Sequence, residues 1–179
     1  MASANATPTP DAAAVWAVLE RLTDPEIPVV TLAEMGILRD VRALDGRWQI
    51  VITPTYSGCP AMAQIEDDIR TALAEHGLEG EVITQLAPAW TTAWMSAQAR
   101  VKLRDYGIAP PQDEMDLTGH PAGTQLLRFL PRATQTEAVP CPQCQSANTT
   151  LTSNFGSTAC KALYKCLDCL EPFDYFKPH

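Results

Sequence analysis

Few residues of this chain carry a positive charge. Lysine and arginine together number 13 against 21 aspartates and glutamates, which gives a formal net charge of -8 at pH 7. A chain with this acidic balance is repelled by the phosphates of nucleic acids and by anionic lipid headgroups. We therefore expect neither a nucleic acid nor a membrane surface to be its main partner.

The sequence also lacks a long apolar run. None of its apolar stretches approaches the ~20 residues that a membrane-spanning helix needs. Residues 1–10 lack the basic start and the apolar segment of a secretory signal. We therefore expect a cytoplasmic protein, in which cysteines serve metal or redox chemistry more often than disulfides.

Histidine is scarce: His76, His120 and His179 are the only ones, and none lies in a motif that pairs it with a thiol. An enzyme with a cysteine nucleophile needs a base beside that thiol. A thiol enzyme therefore ranks last among the functions that the cysteines allow.

A turn at residues 53–60 organises the first half of the chain. Before it, Trp48, Ile50 and Ile52 alternate with other residues as in a strand. After it, apolar residues recur at the spacing of one helical face: Met62, Ile65, Ile69 and Leu73. The pattern predicts a strand, a turn and a helix that begins near Cys59 and Pro60. A thiol at a helix start lies near unpaired N–H groups, which favour the thiolate that ligates metals. The alternative is that Cys59 is a small buried hydrophobic residue.

Two carboxylates, Asp24 and Glu26, stand in the proline-containing stretch 24–28. The prolines at positions 25 and 28 make this stretch rigid and extended, which keeps the two carboxylates close together. They are either oxygen ligands or acid–base groups of a shared site, or parts of a solvated loop. Taken alone, the stretch favours the loop.

Composition and periodicity divide the chain into four parts. Residues 1–8 have the small and polar composition of a disordered tail. Residues 9–110 form the first domain, with strands predicted at 37–44, 47–53 and 81–87. Residues 111–139 are rich in proline, show no sustained period and are interpreted as a linker. Residues 140–179 form a small module.

That small module carries two C-x-x-C motifs, formed by Cys141, Cys144, Cys166 and Cys169. Each motif turns two sulfurs to one side, and two such motifs close a tetrahedron of thiolates around a zinc ion. A module of this size cannot build a sufficient core alone, so the metal supplies folding energy. We predict structural Zn²⁺ bound by these four residues.

Other metal arrangements stay open. Four thiolates also suit an iron–sulfur cluster, and Cys160 offers an extra thiol within the same module. We interpret Cys160 as a packed or unligated thiol, because the paired motifs need no further ligand. Positive and negative charges balance in the module, which favours contact with a protein over contact with nucleic acid.

The motifs in the first domain resemble the SufT-like family of iron–sulfur assembly domains. The resemblance covers residues 12–110 and is carried by residues 24–28, by Met35 and Gly36, and by the turn at 58–60. It implies a small α/β sandwich that helps deliver iron–sulfur clusters and is not itself an enzyme. With the ribbon, this gives an α+β chain: a three-stranded sheet with helices, followed by a four-cysteine zinc ribbon. By the family's motif, Cys59, Asp24 and Glu26 would carry cluster or iron transfer.

A narrower resemblance, to the PaaD family, spans both domains. It rests on residues 53–60, 88–92, 155–162 and 171–177. This family is encoded with the phenylacetyl-CoA epoxidase of aerobic phenylacetate breakdown, whose reductase carries an iron–sulfur cluster and whose oxygenase carries a di-iron site. The resemblance implies an accessory protein that matures these components with a transiently held iron–sulfur cluster or iron.

Two functions therefore compete. The chain is either a metal-centre assembly factor or a non-catalytic structural subunit or scaffold of the oxygenase complex. The sequence does not separate them, and it leaves open whether the protein forms a homodimer.

Overall fold

The computed structural model describes residues 11–44, 46–112 and 138–179. The chain forms two compact units: the described residues up to Lys102 together with His179, and Leu103–Pro178. The predicted tail at 1–8 and most of the predicted linker at 111–139 lie outside the described residues. The predicted domain limits stay a prediction. Within the described residues, no helix has both the length and the apolar character needed to cross a membrane.

The first unit contains three strands and most of the helices. In chain order its elements are α1 (Ala12–Leu19), β1 (Leu38–Leu44), β2 (Arg47–Ile52), α2 (Met62–Glu75), β3 (Gly80–Thr84), a short 3-10 helix (Thr92–Trp94) and α3 (Ala97–Asp105), whose last turn belongs to the second unit. The three predicted strands and the helix predicted after the turn at 53–60 are present. The third strand ends at Thr84 rather than at residue 87.

The sheet of the first unit has the order β1-β2-β3. β1 and β2 are antiparallel, with Leu44 opposite Arg47, whereas β2 and β3 are parallel, with Ile52 opposite Thr84. Parallel neighbours need a crossover connection, and α2 provides it. Buried apolar side chains come from β2 and from one face of α2: Ile50, Ile52, Ile65, Ile69 and Leu73. This arrangement confirms the predicted α/β sandwich with a three-stranded sheet.

Gly36 allows the segment before β1 to pack against the segment around Trp94. It has φ +70, and a Cβ atom at this position would lie 2.7 Å from the backbone oxygen of Trp94. Nearby, Trp90 Nε1 donates to the Met35 carbonyl at 2.9 Å, and the guanidinium of Arg39 lies 3.5 Å from the Trp94 ring centroid. The Met35–Gly36 motif therefore has a packing role.

The second unit is a ribbon of short strands. Its elements are β4 (Ile108–Ala109), β5 (Thr149–Ser153), β6 (Lys161–Cys166) and β7 (Pro172–Phe176), in the order β4-β7-β6-β5. β5 pairs with β6 and β6 pairs with β7, in both cases antiparallel. β4, which pairs in parallel with β7, was not predicted, because two residues are too short to show a period. The core is small and includes two zinc-ligand candidates: Ala109, Val139, Cys141, Ala162, Tyr164, Cys166, Phe173 and Tyr175.

Glu34 holds the turn before β1. Thr31 N donates to Glu34 Oε2 at 2.9 Å and Glu34 N donates to Thr31 Oγ1 at 3.1 Å, as in a capping box. Lys102 Nζ lies 2.7 Å from Glu34 Oε1. Burial alone would raise the pKa of Glu34, but the hydrogen bonds and charge of Lys102 and the N–H of Thr31 together lower it.

We predict that Lys102→Met destabilises the first unit by about 1 kcal/mol at pH 7, the magnitude of a partly exposed ion pair. The lowered pKa of Glu34 stabilises the fold above the unfolded value of about 4.3, and this contribution is lost as pH falls through the folded value. The difference between the variant and the wild type should therefore shrink towards pH 3. Urea unfolding followed by tryptophan fluorescence measures it, since all four tryptophans lie in the first unit. Lys165→Met, an exposed lysine of the second unit, is the control. An equal difference at pH 3 and pH 7 would contradict the electrostatic origin.

Candidate metal sites

The four cysteines of the two C-x-x-C motifs come together in the ribbon. The first pair precedes β5, and the second lies where β6 ends and the chain turns towards β7. Cys141 Sγ is 3.7 Å from Cys169 Sγ, and Cys144 Sγ is 3.5 Å from Cys166 Sγ. All four sulfurs lie within 4.8 Å of one another. A tetrahedron of thiolates around zinc, with Zn–S bonds of ~2.3 Å, has edges of about 3.8 Å. The sulfur positions therefore fit one zinc ion.

The surroundings of the sulfurs also suit a bound cation. Cys141 and Cys166 are buried, and Cys144 and Cys169 are exposed. Cys169 N lies 3.5 Å from Cys166 Sγ and donates to it. Burial and the neighbouring thiols outweigh the backbone hydrogen bonds of Cys144 and Cys169 and raise the pKa of each, whereas the backbone N–H groups of Cys169 and Asp168 outweigh burial and lower the pKa of Cys166 to about 7. Thiolate is the form that binds metal, so these N–H groups favour the ligand state.

Asp168 connects the two cysteine motifs. Its carboxylate accepts hydrogen bonds from Ser146 Oγ and from Asn148 Nδ2, the latter at 2.7 Å. These donors lower the pKa of Asp168. Backbone hydrogen bonds run alongside, from Cys141 N to the Ser146 oxygen at 2.9 Å and from Leu167 N to the Asn148 oxygen at 2.8 Å. Asp168 therefore holds the second cysteine pair against the segment that follows the first pair.

Each cysteine motif ends in a residue with positive φ. Gln145 follows the first pair with φ 63, and Leu170 follows the second with φ 68. This left-handed backbone reverses the chain directly after each second cysteine. The two motifs therefore close with the same backbone conformation.

Cys160 does not belong to the four-sulfur group. It is buried, with its Sγ 2.9 Å from Thr158 Oγ1. Its neighbour Lys161 is also buried, and Lys161 Nζ lies 3.6 Å from Asp174 Oδ2. Residues 155–162 and 171–177, which carried part of the resemblance, thus pack on each other within the ribbon.

Cys59 lies in the connection between β2 and α2 and is half-buried. α2 begins at Met62, so the prediction that the helix begins near Cys59 and Pro60 was wrong by part of a turn. Cys59 N donates to the Tyr56 oxygen at 3.2 Å, and Cys59 O accepts from Met62 N at 3.4 Å. These bonds form a turn ahead of the helix. The helix dipole acts most strongly within the first turn, so its effect on the Cys59 thiol is weaker than predicted.

Asp24 uses one carboxylate oxygen to close its own loop. Oδ1 accepts from Glu26 N at 2.8 Å and from Ile27 N at 3.0 Å, and Asp24 is 8% exposed. Glu26 is half-buried. In the described ranges, one group of three or more potential ligands lies close enough together to share an ion, and it consists of the four ribbon cysteines. Asp24, Glu26 and Cys59 do not belong to this group. The role of these three residues in transfer stays a prediction.

A cavity of about 370 Å³ lies beside the Cys59 turn. Tyr56 and Ser57 from that turn line it together with Trp90 and His179. The His179 ring meets Trp90 edge-on at 6.0 Å between centroids, and the His179 oxygen accepts from Thr92 N at 3.1 Å. The turn that carries Cys59 therefore borders a recess that also contains an imidazole.

Comparison with known proteins identifies both halves of the chain. A family model described as the PaaD zinc beta ribbon domain matches residues 130–177, and one described as an iron–sulfur cluster assembly protein matches residues 12–84. An Escherichia coli protein named as one of the subunits of 1,2-phenylacetyl-CoA epoxidase is 48% identical over 91% of this chain and 90% of its own length. The chain belongs to the PaaD family. Its four clustered cysteines are the structural zinc site of the PaaD ribbon.

Relatives of the first unit alone are also known. The Fe-S protein maturation auxiliary factor YitW of Bacillus subtilis is 34% identical over 50% of this chain and 89% of its own length. A crystal structure of a domain of unknown function from Bacillus anthracis is 31% identical, with a TM-score of 0.48, and covers 51% of this chain and 90% of that one.

Sequence reasoning did not find every residue at these sites. It found the zinc ligands of this PaaD-family chain from their spacing, but it missed Asp168, Ser146 and Asn148, whose contacts cross the ribbon. It also gave no place to His179. An isolated histidine carries no local signal, because only the fold brings it to the cavity beside residues 54–57.

We predict that Cys166→Ser removes the zinc and unfolds the ribbon, because a site with three thiolates no longer closes the small core. The first unit should keep its own cooperative melt. Zinc analysis of the full chain, with two-dimensional NMR spectra, measures both effects, and Ser153→Ala is the control in β5. A ribbon that stays folded without metal would contradict this prediction.

Asp168→Ala should leave the ribbon folded but weaken zinc binding by about 10- to 100-fold, the cost of losing an outer-shell partner. The reason is that the carboxylate holds the two cysteine pairs together through Ser146 and Asn148. Competition with a chromophoric chelator measures the zinc affinity of the full chain. Glu171→Gln removes one charge from the same loop and should change the affinity little. Equal effects of both variants would mean that only charge matters.

Proposed function

We propose that this protein is an accessory factor that assembles an iron–sulfur cluster, or delivers a cluster or iron, to the phenylacetyl-CoA epoxidase components. One observation carries the proposal: a single chain joins a unit related to YitW with the zinc ribbon of the PaaD family. YitW is named as a maturation factor, and the Escherichia coli relative is named as a subunit of the epoxidase. The combination favours maturation within that system, by a subunit that is not itself catalytic.

Cys59 is the residue that would bind the cargo. Its turn follows β2 and leads into the helix that crosses over to the parallel strand β3. Loops at the carboxyl ends of parallel strands are the usual ligand-binding positions of such folds. The thiol is half-buried, so an iron ion or cluster can reach it. Thiolate is also the protein ligand that holds iron–sulfur clusters.

A site with few protein ligands suits transfer better than storage. The ribbon saturates its metal with four thiolates, whereas Cys59 does not lie in such a group among the described residues. A cargo held through Cys59 keeps coordination positions for other ligands. A client that offers a complete ligand set would then take the cargo.

Asp24 and Glu26, in the loop between α1 and β1, would support this site. Asp24 fixes the loop through Oδ1, which accepts two backbone hydrogen bonds. We infer that Asp24 sets the loop conformation and that Glu26 tunes the charge near the cargo. The ribbon would dock the client while Cys59 transfers the metal.

We predict that Cys59→Ala leaves the fold and the ribbon zinc intact but yields epoxidase components that are deficient in iron or cluster. The reason is that the variant removes the transfer thiol and little packing, since Cys59 is half-buried. The measurement is the iron content, acid-labile sulfide and activity of the oxygenase and reductase purified from cells that carry the variant.

Ser57→Ala is the matched control, because it alters an exposed residue of the same turn without removing a thiol. It should yield fully loaded components. If Cys59→Ala also yields fully loaded and active components, the transfer role of Cys59 is wrong and the protein acts as a structural scaffold of the oxygenase complex.

A further inference from the structure

The second cysteine motif exposes two leucines to solvent. Leu167, between its two cysteines, is 47% exposed, and Leu170, directly after them, is 63% exposed. Both lie in the turn between β6 and β7. We call Leu167 and Leu170 the leucine pair. Both leucines contribute little to the core of the ribbon, so their side chains are available for contact with a partner.

Leu170 also occupies a backbone conformation that disfavours leucine. Its φ of 68 is in the left-handed region, which an L-residue with a Cβ adopts much less readily than glycine. Apart from Gln145 and Leu170, the described chain uses glycine for positive φ, at Gly36, Gly46, Gly77 and Gly107. Glycine at position 170 would remove the strain, and most of the leucine surface that it replaces is exposed. A strained and exposed apolar side chain without a packing reason indicates a functional contact.

The first cysteine motif provides an internal comparison. Gln145 has nearly the same backbone angle, φ 63, at the equivalent position. It is exposed and polar, and its side chain donates to the Pro142 oxygen at 3.2 Å. The backbone of the motif therefore accepts a polar residue at this position. Only the second motif presents a large apolar side chain there.

Negative charge surrounds the leucine pair. A zinc ion with four thiolates carries a net charge of about −2. Asp168 lies between the two leucines in sequence, with its carboxylate fixed by Ser146 and Asn148, and the exposed Glu171 follows Leu170. The exposed Lys165 offsets only part of this charge. A second copy of the same acidic surface would repel this one, since like charges meet.

We propose that the leucine pair is the contact by which the ribbon docks on a client subunit of the epoxidase. The complementary surface is an apolar pocket bordered by arginine or lysine side chains, because the leucines need an apolar partner and the surrounding anions need cations. This proposal rests on the proposed function for the identity of the client, and it adds the residues that recognise it.

The test is the affinity of the full-length zinc protein for the purified oxygenase and reductase components, each measured by calorimetry at low and moderate salt. Leu170→Gly should retain zinc at least as well as the wild type, because it relieves strain. It should bind the client at least 10-fold more weakly, because the apolar contact is lost. Gln145→Gly is the matched control, since it relieves the same strain in the first motif and should keep the affinity unchanged. Binding of the wild type should weaken as salt increases.

Leu170→Gln keeps the test decisive if the glycine variant loses its zinc. It places in the second motif the residue that the first motif already carries, and it should also bind the client at least 10-fold more weakly. Unchanged affinity in a zinc-loaded Leu170 variant would overturn the proposal, as would a wild type that binds neither component. A wild-type dimer in sedimentation that becomes monomeric in Leu170→Gly would also overturn it, because a second copy would then be the occupant.

The same measurement on Cys59→Ala separates this proposal from metal transfer. Cys59 lies in the first unit, and its removal should leave client affinity unchanged even where the client remains unloaded. If Cys59→Ala instead yields loaded components while Leu170→Gly still loses affinity, docking stands and the transfer role fails.

Discussion

The tetrahedron of four cysteine sulfurs is the constraint on which the second unit depends. Two of the sulfurs, those of Cys141 and Cys166, are also members of its small buried core. A core of this size contributes too little free energy to order four short strands alone. Zinc therefore connects the segment before β5 to the end of β6, and β7 then pairs with β6 along its length, from Lys161 opposite Phe176 to Lys165 opposite Pro172. The hydrogen bonds of Asp168 brace the same junction from outside.

The first unit has an apolar core of its own, because the rest of the unit covers its central strand. β2 pairs on both edges, and Ile50 and Ile52 are fully buried. The parallel pairing of β2 with β3 obliges the chain to leave the end of β2 and cross over through α2. Cys59 lies on that crossover. The position of the thiol thus follows from topology, while the rigid strand before it and the helix after it hold the turn in place.

Local patterns in the sequence predicted most of the fold and the zinc ligands. The alternation at Trp48, Ile50 and Ile52 and the C-x-x-C spacing are short-range signals, and the structure has the corresponding strand and metal site. Long-range contacts were missed, since Asp168 meets Ser146 and Asn148 across the ribbon and His179 lies by Trp90. The start of α2 was misplaced because Pro60, which suits a first helical turn, also suits the turn that precedes the helix. For Asp24 the proline-containing stretch left a ligand and a solvated loop open, and it did not predict that Oδ1 accepts from the N–H groups of Glu26 and Ile27.

The ribbon site and the Cys59 turn differ in the number of protein ligands that they offer to a metal. In the ribbon, four sulfurs already lie at the distances of a filled coordination sphere, so little rearrangement accompanies binding and no position is left for an incoming ligand. At the Cys59 turn, one thiol is half-buried, and the preceding residues Tyr56 and Ser57 line a cavity of about 370 Å³. A metal bound there depends on ligands that the turn does not supply, and exchange of those ligands is the route by which it can leave. Under the proposed function, the same thiolate chemistry would give retention in the ribbon and exchange at the Cys59 turn. Under that proposal, the metal that is kept and the metal that is passed on are held in separate units of the chain.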